Sequence, residues 1–268
     1  MKTLVKIYWL IFILSAGIFN PLHASPKQTS TVYFIEESKS IPNTLTVHVT
    51  RANSTLETQL ILRGATMDIT KQVQNVVCDN NPIKENKAGI WRVPAGCQKL
   101  QWQVPLAQSR TELASAQQSL RVGDFILFSE ISSLPRLQDA TSEFIKIAIL
   151  NVKTIFPKPS SPNEIELPNM HSAPFFLIMN PAIVGSESSN AIKLAYFLDN
   201  PIATSKLPSM SSHMTGLKWL NTIMPRKVEE SFNIAWLGIT AKKVSLAGAT
   251  GTDILLTNYP NDGEFPFG

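Results

Sequence analysis

Cysteine is scarce: the 268-residue chain has two, Cys78 and Cys97. A metal centre built on thiolates needs further thiolate or imidazole ligands near in sequence, and none stands there. Histidine is also sparse, with His23, His48, His171 and His213 scattered along the chain. No two lie i, i+4 and none precedes a glutamate, so the zinc-hydrolase helix signature H-E-x-x-H is absent. G-x-S-x-G is absent too, which leaves no nucleophile elbow. No block of five or more basic residues occurs, so the pattern gives nucleic-acid binding no support. After the first twenty residues no apolar run is long enough to span a bilayer.

That first run has the three parts of an export signal. Lys2 and Lys6 give a positive start, Ile7–Phe19 is apolar, and Leu22-His23-Ala24 leads to Ser25. Asn20-Pro21 breaks the run before the roughly 20 residues that a membrane anchor requires. The expectation is a signal peptide over residues 1–24, and a soluble mature protein in the periplasm or outside the cell. Losing the two lysines lowers the formal charge of +4 and leaves a nearly balanced surface. Two cysteines in an exported chain predict one disulfide, Cys78 to Cys97. Free buried thiols, or half of a metal site, are the alternatives.

From Thr31 to about Phe156 the chain reads as strands. Thr31–Glu36, Thr44–Arg51, Glu57–Arg63, Gln98–Pro105, Gly123–Glu130 and Glu143–Asn151 alternate or are rich in β-branched residues. Ser109 and Glu112 have capping-box spacing for a helix over 110–120. Many short strands at near-regular spacing predict an antiparallel, sandwich-like domain over residues 25–156. Pro157–Pro168 carries four prolines and reads as a linker or surface excursion. Residues 169–268 read as a mixed α+β lobe. It holds a strand at Phe175–Met179, a helix capped by Ser188 or Ser189 running to Leu198, and a helix capped by Ser211 or Ser212. Met214, Leu217, Leu220 and Met224 would form the apolar stripe of that second helix. Strands at Phe232–Ile239, Val244–Ala247 and Asp253–Asn258 complete the lobe. The fold class expected is therefore mainly β with a smaller α+β second part.

Other chemistry-bearing patterns have plain structural readings. Gly185-Ser186-Glu187-Ser188-Ser189 reads as a capping turn. Gly248-Ala249-Thr250-Gly251 lacks both the lysine of a phosphate loop and the spacing of a dinucleotide turn, so a hairpin turn explains it. The pair Glu229-Glu230 and the acids Asp262 and Glu264 read as solvated carboxylates. Trp91, Trp102, Trp219 and Trp236 are spread out, as core tryptophans are.

Two stretches carry a resemblance. Val77-Cys78, then Ile90-Trp91-Arg92-Val93-Pro94-Ala95-Gly96-Cys97 and Leu100-Gln101-Trp102-Gln103-Val104-Pro105, resembles the N-terminal β-domain of glycyl-aminopeptidase-like gluzincin metallopeptidases. Ala235-Trp236-Leu237-Gly238-Ile239, Gly248-Ala249-Thr250-Gly251 and Leu255-Leu256-Thr257-Asn258-Tyr259-Pro260 resembles the strand region that precedes the zinc-binding helix there. The resemblance implies a β-rich domain followed by the first lobe of a thermolysin-like domain. It also implies a peptide-contact loop at Gly248, Ala249, Thr250 and Gly251. In the related aminopeptidases a G-A-M-E-N strand lines the cleft and its glutamate holds the substrate amine. Here Thr250-Gly251-Thr252 follows Gly248-Ala249, so that glutamate is missing. The resemblance places Gly268 just before the point at which the family supplies two histidines and a general-base glutamate. Three protein ligands are needed to hold and acidify a zinc-bound water. The expectation is thus a catalytically incomplete relative with no cofactor, no metal ligands and no catalytic residues, which binds a peptide or an envelope protein. A binding or structural β module of the cell envelope, unrelated to peptidases, is the alternative. An enzyme without a legible signature is the third reading.

Overall fold

The computed structural model describes residues 31–51, 55–63, 72–108, 118–139, 144–152, 155–156, 159, 161–168, 176–180, 182–189, 192–198, 210–223, 232–238, 246–250 and 253–257. They form a mainly β molecule with a sheet-and-helix second part, as the alternation predicts. In the first part the strands are β1 (Thr31–Glu37), β2 (Thr44–Thr50), β3 (Thr58–Ile61), β4 (Gln74–Cys78), β5 (Asn81–Pro82), β6 (Glu85–Lys87), β7 (Ile90–Val93), β8 (Lys99–Pro105), β9 (Leu120–Val122) and β10 (Phe125–Ser129). A single helical turn, α1 (Glu130–Ser133), leads to β11 (Arg136–Leu137), β12 (Phe144–Ile149), β13 (Ile155–Phe156), β14 (Glu164–Pro168) and β15 (Phe176–Met179). The second part holds β16 (Ala182–Ser189), β17 (Ile192–Leu198), α2 (Met210–Ile223), β18 (Phe232–Gly238), β19 (Leu246–Thr250) and β20 (Asp253–Thr257).

A seven-stranded sheet runs β14-β12-β1-β2-β8-β4-β5, and two four-stranded sheets run β13-β15-β10-β9 and β11-β3-β7-β6. Period-two burial explains why these residues make strands. Tyr33 and Ile35, Leu45, Val47 and Val49, then Leu100, Trp102 and Val104 turn inward and are at most 1% exposed. Across them lie Leu60, Trp91 and Val93 and the fully buried β10 and β15, all in one apolar cluster. Truncating Trp102 to alanine would cost about 3–5 kcal/mol. The sheet is antiparallel except where β1 pairs in parallel with β12.

The strand pairing runs through the proline-rich stretch instead of stopping at it. Glu164–Pro168 pairs antiparallel with β12, because Ile165 and Leu167 alternate inward between Glu164 and Glu166. The helix expected from Ser188 to Leu198 is a correction. Ala182–Ser189 and Ile192–Leu198 are antiparallel strands. Ile192 and Leu194 are buried while Lys193 between them is exposed, so the true period here is two and the serines belong to a hairpin. The second expected helix is present as α2. On its expected stripe Met214 is buried and Leu217 half-buried, Leu220 is 45% exposed, and Met224 lies outside the described residues. The helix expected over 110–120 falls mostly outside the described residues, and Leu120 itself begins β9.

Candidate functional site

The second part is a five-stranded sheet in the order β16-β17-β18-β20-β19. β17, β18 and β20 are parallel. α2 makes the crossover from β17 to β18, packing on β16 and β17. β19 and β20 form a hairpin whose pairs run from Leu246–Thr257 to Thr250–Asp253. Gly248, Ala249 and Thr250 therefore lie within a strand and not in a loop, and Gly251 lies outside the described residues. A hairpin connection as short as Gly251-Thr252 closes on a hydrogen-bonded pair. Thr250, Gly248 and Leu246 thus bond to β20. Alternation then turns the N–H and C=O groups of Ala249 and Ala247 away from it, toward the side on which no described strand pairs.

The two edges of this sheet differ. β16 has a register irregularity between Ile183 and Gly185, carries Glu187 and lies against α2. Such features blunt an edge against pairing. β19 reads Leu246-Ala247-Gly248-Ala249-Thr250, with no charge, no proline and no bulge in its register.

The remaining expected positions fall elsewhere. Cys78 and Cys97 are joined by a disulfide, with Cα atoms 5.8 Å apart. Asp79 and Asn80 turn the chain from β4 to β5 with positive φ at both residues. Gly96, at φ +85°, lets the Pro94-Ala95-Gly96 turn bring Cys97 back beside Cys78. The Asp79 carboxylate accepts hydrogen bonds from the Gln98 and Lys99 N–H groups at 2.9 and 2.8 Å. These bonds hold its pKa below the ordinary aspartate value. Cys78, Asp79 and Cys97 are the one grouping of three potential ligands among the described residues. They do not fit a hydrolytic zinc ion, since both sulfurs are bonded to each other and the carboxylate serves the backbone. His48 stacks on Phe34 at 4.9 Å on the outer face of the large sheet. Its pKa is lowered by partial burial and then by Lys99. His171 lies outside the described residues, and His213 lies on α2.

The sequence reading missed a buried charge cluster beside α1. Glu130 is 1% exposed and Arg136 is fully buried. Glu130 Oε1 accepts from Arg136 Nε at 3.2 Å and Nη2 at 2.5 Å, and also from Arg63. Arg136 lies over the Tyr33 ring, and burial raises the pKa of that tyrosine. Arg51, also buried, donates to Asp139 at 2.8 Å and to the Cys97 carbonyl at 3.3 Å. The signal available in the sequence was the glutamate and two serines of Glu130-Ile131-Ser132-Ser133 between the apolar run Phe125-Ile126-Leu127-Phe128 and Arg136.

No protein-family model and no curated protein matches the sequence. Solved structures do match. An aminopeptidase N family protein from Idiomarina loihiensis aligns over 89% of this chain and 44% of its own, at 13% identity and a TM-score of 0.56. The likeness is one of fold. The chain thus has the fold of part of an aminopeptidase N family protein and spans less than half of that protein's length. An M1 zinc metallopeptidase variant from Deinococcus radiodurans, solved with a Tyr-Ser-Ala substrate, aligns over 89% of this chain and 61% of its own. Its identity is 10% and its TM-score 0.40. Yeast LTA4 hydrolase aligns over 85% and 40%, at 10% identity and 0.38. These two weaker likenesses add nothing to the first.

Proposed function

We propose that this chain is an exported, catalytically incomplete relative of the zinc metallopeptidases that pairs extended peptide segments along β19. One observation carries the reading: β19 is an unblunted edge strand in a sheet of peptidase-like fold. A peptide lying there would add a sixth strand, using the outward groups of Ala247 and Ala249 for main-chain hydrogen bonds. Export rests on the leader-like first 24 residues and on the Cys78–Cys97 disulfide, a bond that persists in oxidising compartments. No helix among the described residues is long and apolar enough to cross a membrane. The incomplete chemistry rests on the sequence, which contains no H-E-x-x-H and no glutamate after Gly248-Ala249.

Two measurements test the proposal. Elemental analysis of the purified mature chain should find zinc well below one equivalent, with no cleavage of alanyl dipeptides. Stoichiometric zinc together with turnover would overturn the non-catalytic part. Titration with unstructured tripeptides and hexapeptides should shift the backbone amide signals of Ala247 and Ala249 and leave those of Leu246 and Gly248 less affected. Shifts confined to other strands would overturn the pairing edge.

A further inference from the structure

The corner that Cys78, Asp79 and Cys97 form does not depend on the sulfur–sulfur bond alone. Cys78 pairs with Leu100 across β4 and β8. The Asp79 N–H donates to the Lys99 carbonyl at 2.9 Å, and its carboxylate is held by the Gln98 and Lys99 N–H groups. The Cys97 carbonyl accepts from the buried Arg51 at 3.3 Å. Opening the disulfide would therefore release two sulfurs from a backbone that stays tied in place. A Cβ at Gly96 would meet nothing within 4 Å, so the turn that carries Cys97 has room to shift.

The donor atoms stand where a tetrahedral ion would place them. Both Sγ atoms and an Asp79 carboxylate oxygen lie within 4.8 Å of one another. Zinc–sulfur bonds of about 2.3 Å and zinc–oxygen bonds of about 2.1 Å, set at a tetrahedral angle, put sulfur and oxygen about 3.6 Å apart. Cys78 Sγ and Asp79 Oδ2 are 3.6 Å apart. The same geometry puts two sulfurs about 3.8 Å apart. Side-chain rotation reaches that across a Cα separation of 5.8 Å. Each Asp79 oxygen accepts one backbone N–H and keeps lone-pair capacity for a metal. Those N–H groups also fix the carboxylate's orientation, as partners of a metal ligand do. The sulfurs are buried and Asp79 is exposed, so an ion enters past the carboxylate and keeps water as its fourth ligand.

We propose that Cys78, Asp79 and Cys97 form a redox-gated site for a thiophilic divalent cation, zinc, which the disulfide closes. Opening takes exchange with a dithiol reductant, which passes two electrons and two protons to the Cys78–Cys97 bond and becomes a disulfide itself. The cation then displaces both thiol protons to solvent. The oxidised chain binds none, so the site adds no zinc to the disulfide form and plays no part in pairing along β19. The test titrates the full chain, oxidised or reduced by a phosphine without air, with cobalt(II) as the spectroscopic probe and zinc as the competitor. The reduced chain should take up one equivalent of cobalt with thiolate-to-cobalt charge-transfer absorption that zinc abolishes, and the oxidised chain should show none. Asp79→Asn should weaken cobalt binding at least about tenfold, the least cost of removing even a group that only orients a metal ligand. Zinc should raise the urea midpoint of the reduced wild-type chain and leave that of the oxidised chain unchanged, since a ligand of the folded form stabilises it. This last measurement needs no variant. No charge-transfer absorption in the reduced chain, equal absorption in both redox states, or undiminished binding by Asp79→Asn would each overturn the proposal. So would a reduced chain that zinc neither stabilises nor refolds.

Discussion

The first fifteen strands and the five-stranded sheet differ in where the buried charges among the described residues lie. In the first part, Arg51, Glu130 and Arg136 are buried and tied to each other, to Asp139 or to backbone carbonyls. Even an exposed carboxylate, that of Asp79, is held by two backbone N–H groups. In the second part, β19 ends the described sheet without a charge or a proline, and α2 shows Trp219 and Ile223 to solvent. The difference places the buried ion pairs among the described residues in the first part.

The comparison breaks most visibly at Glu130. Glu130→Ala would leave Arg136 buried without its counter-charge, at a cost of about 3–5 kcal/mol, read as a lower midpoint in urea denaturation. Glu187→Ala, in the second part, should change stability by no more than about 0.5 kcal/mol. Similar losses from the two would erase the distinction.

Next comes the disulfide. Replacing both Cys78 and Cys97 by alanine opens a loop with a sequence separation of 19 and should cost about 3 kcal/mol. The loss should equal the effect of reducing the wild-type chain, measured by the same denaturation. A smaller effect follows from Asp79. Its folded pKa is depressed, so its contribution to stability is present above the unfolded value near pH 4. That contribution is lost as the pH falls through the folded value. Asp79→Asn should therefore be less stable than wild type at neutral pH, and the two should converge below about pH 4. A difference that persists undiminished at lower pH would show that the carboxylate charge is not what the Gln98 and Lys99 N–H groups hold.

Much of this architecture is written in local pattern. Thr44–Thr50 and Lys99–Pro105 alternate so cleanly that period alone identifies them, and two cysteines in a chain with a leader-like start predict one bridge. What was illegible depends on distant partners. Ile192, Ala195 and Leu198 fit a helical face as well as the first, fourth and seventh positions of a strand. Only pairing with β16 and β18 decides between them. Pro157–Pro168 hides β14 because its prolines outweigh two inward residues until β12 lies alongside. Glu130 and Arg136 are six residues apart, and no local rule says that both will be buried. Phe232–Ile239 and Asp253–Asn258 read as strands from their own pattern, and β18 and β20 lie there. Gly248, Ala249 and Thr250 read as a turn or loop yet lie in β19, because a short Gly-rich segment reads as a turn unless its edge position is known.

The smallest expected change in stability gives the sharpest test of the comparison. Proline removes an N–H and fits a strand only where that group is not bonded within the sheet. Ala249, whose N–H turns away from β20, should accept proline at a cost below about 1 kcal/mol. Gly248, whose N–H bonds toward Leu255, should lose about 1 kcal/mol or more with proline. Yet Ala249→Pro removes a donor from the open edge, so peptide pairing should weaken at least about tenfold while the fold persists. Thermal denaturation and peptide titration on the same two variants read both quantities. If Ala249→Pro unfolds the hairpin while Gly248→Pro is tolerated, the alternation along β19 is opposite to that set by a bonded Thr250–Asp253 pair, and Gly248 rather than Ala249 faces the incoming chain. If both variants fold and both bind peptide as wild type does, recognition does not use this edge. The unblunted strand would then be merely unprotected.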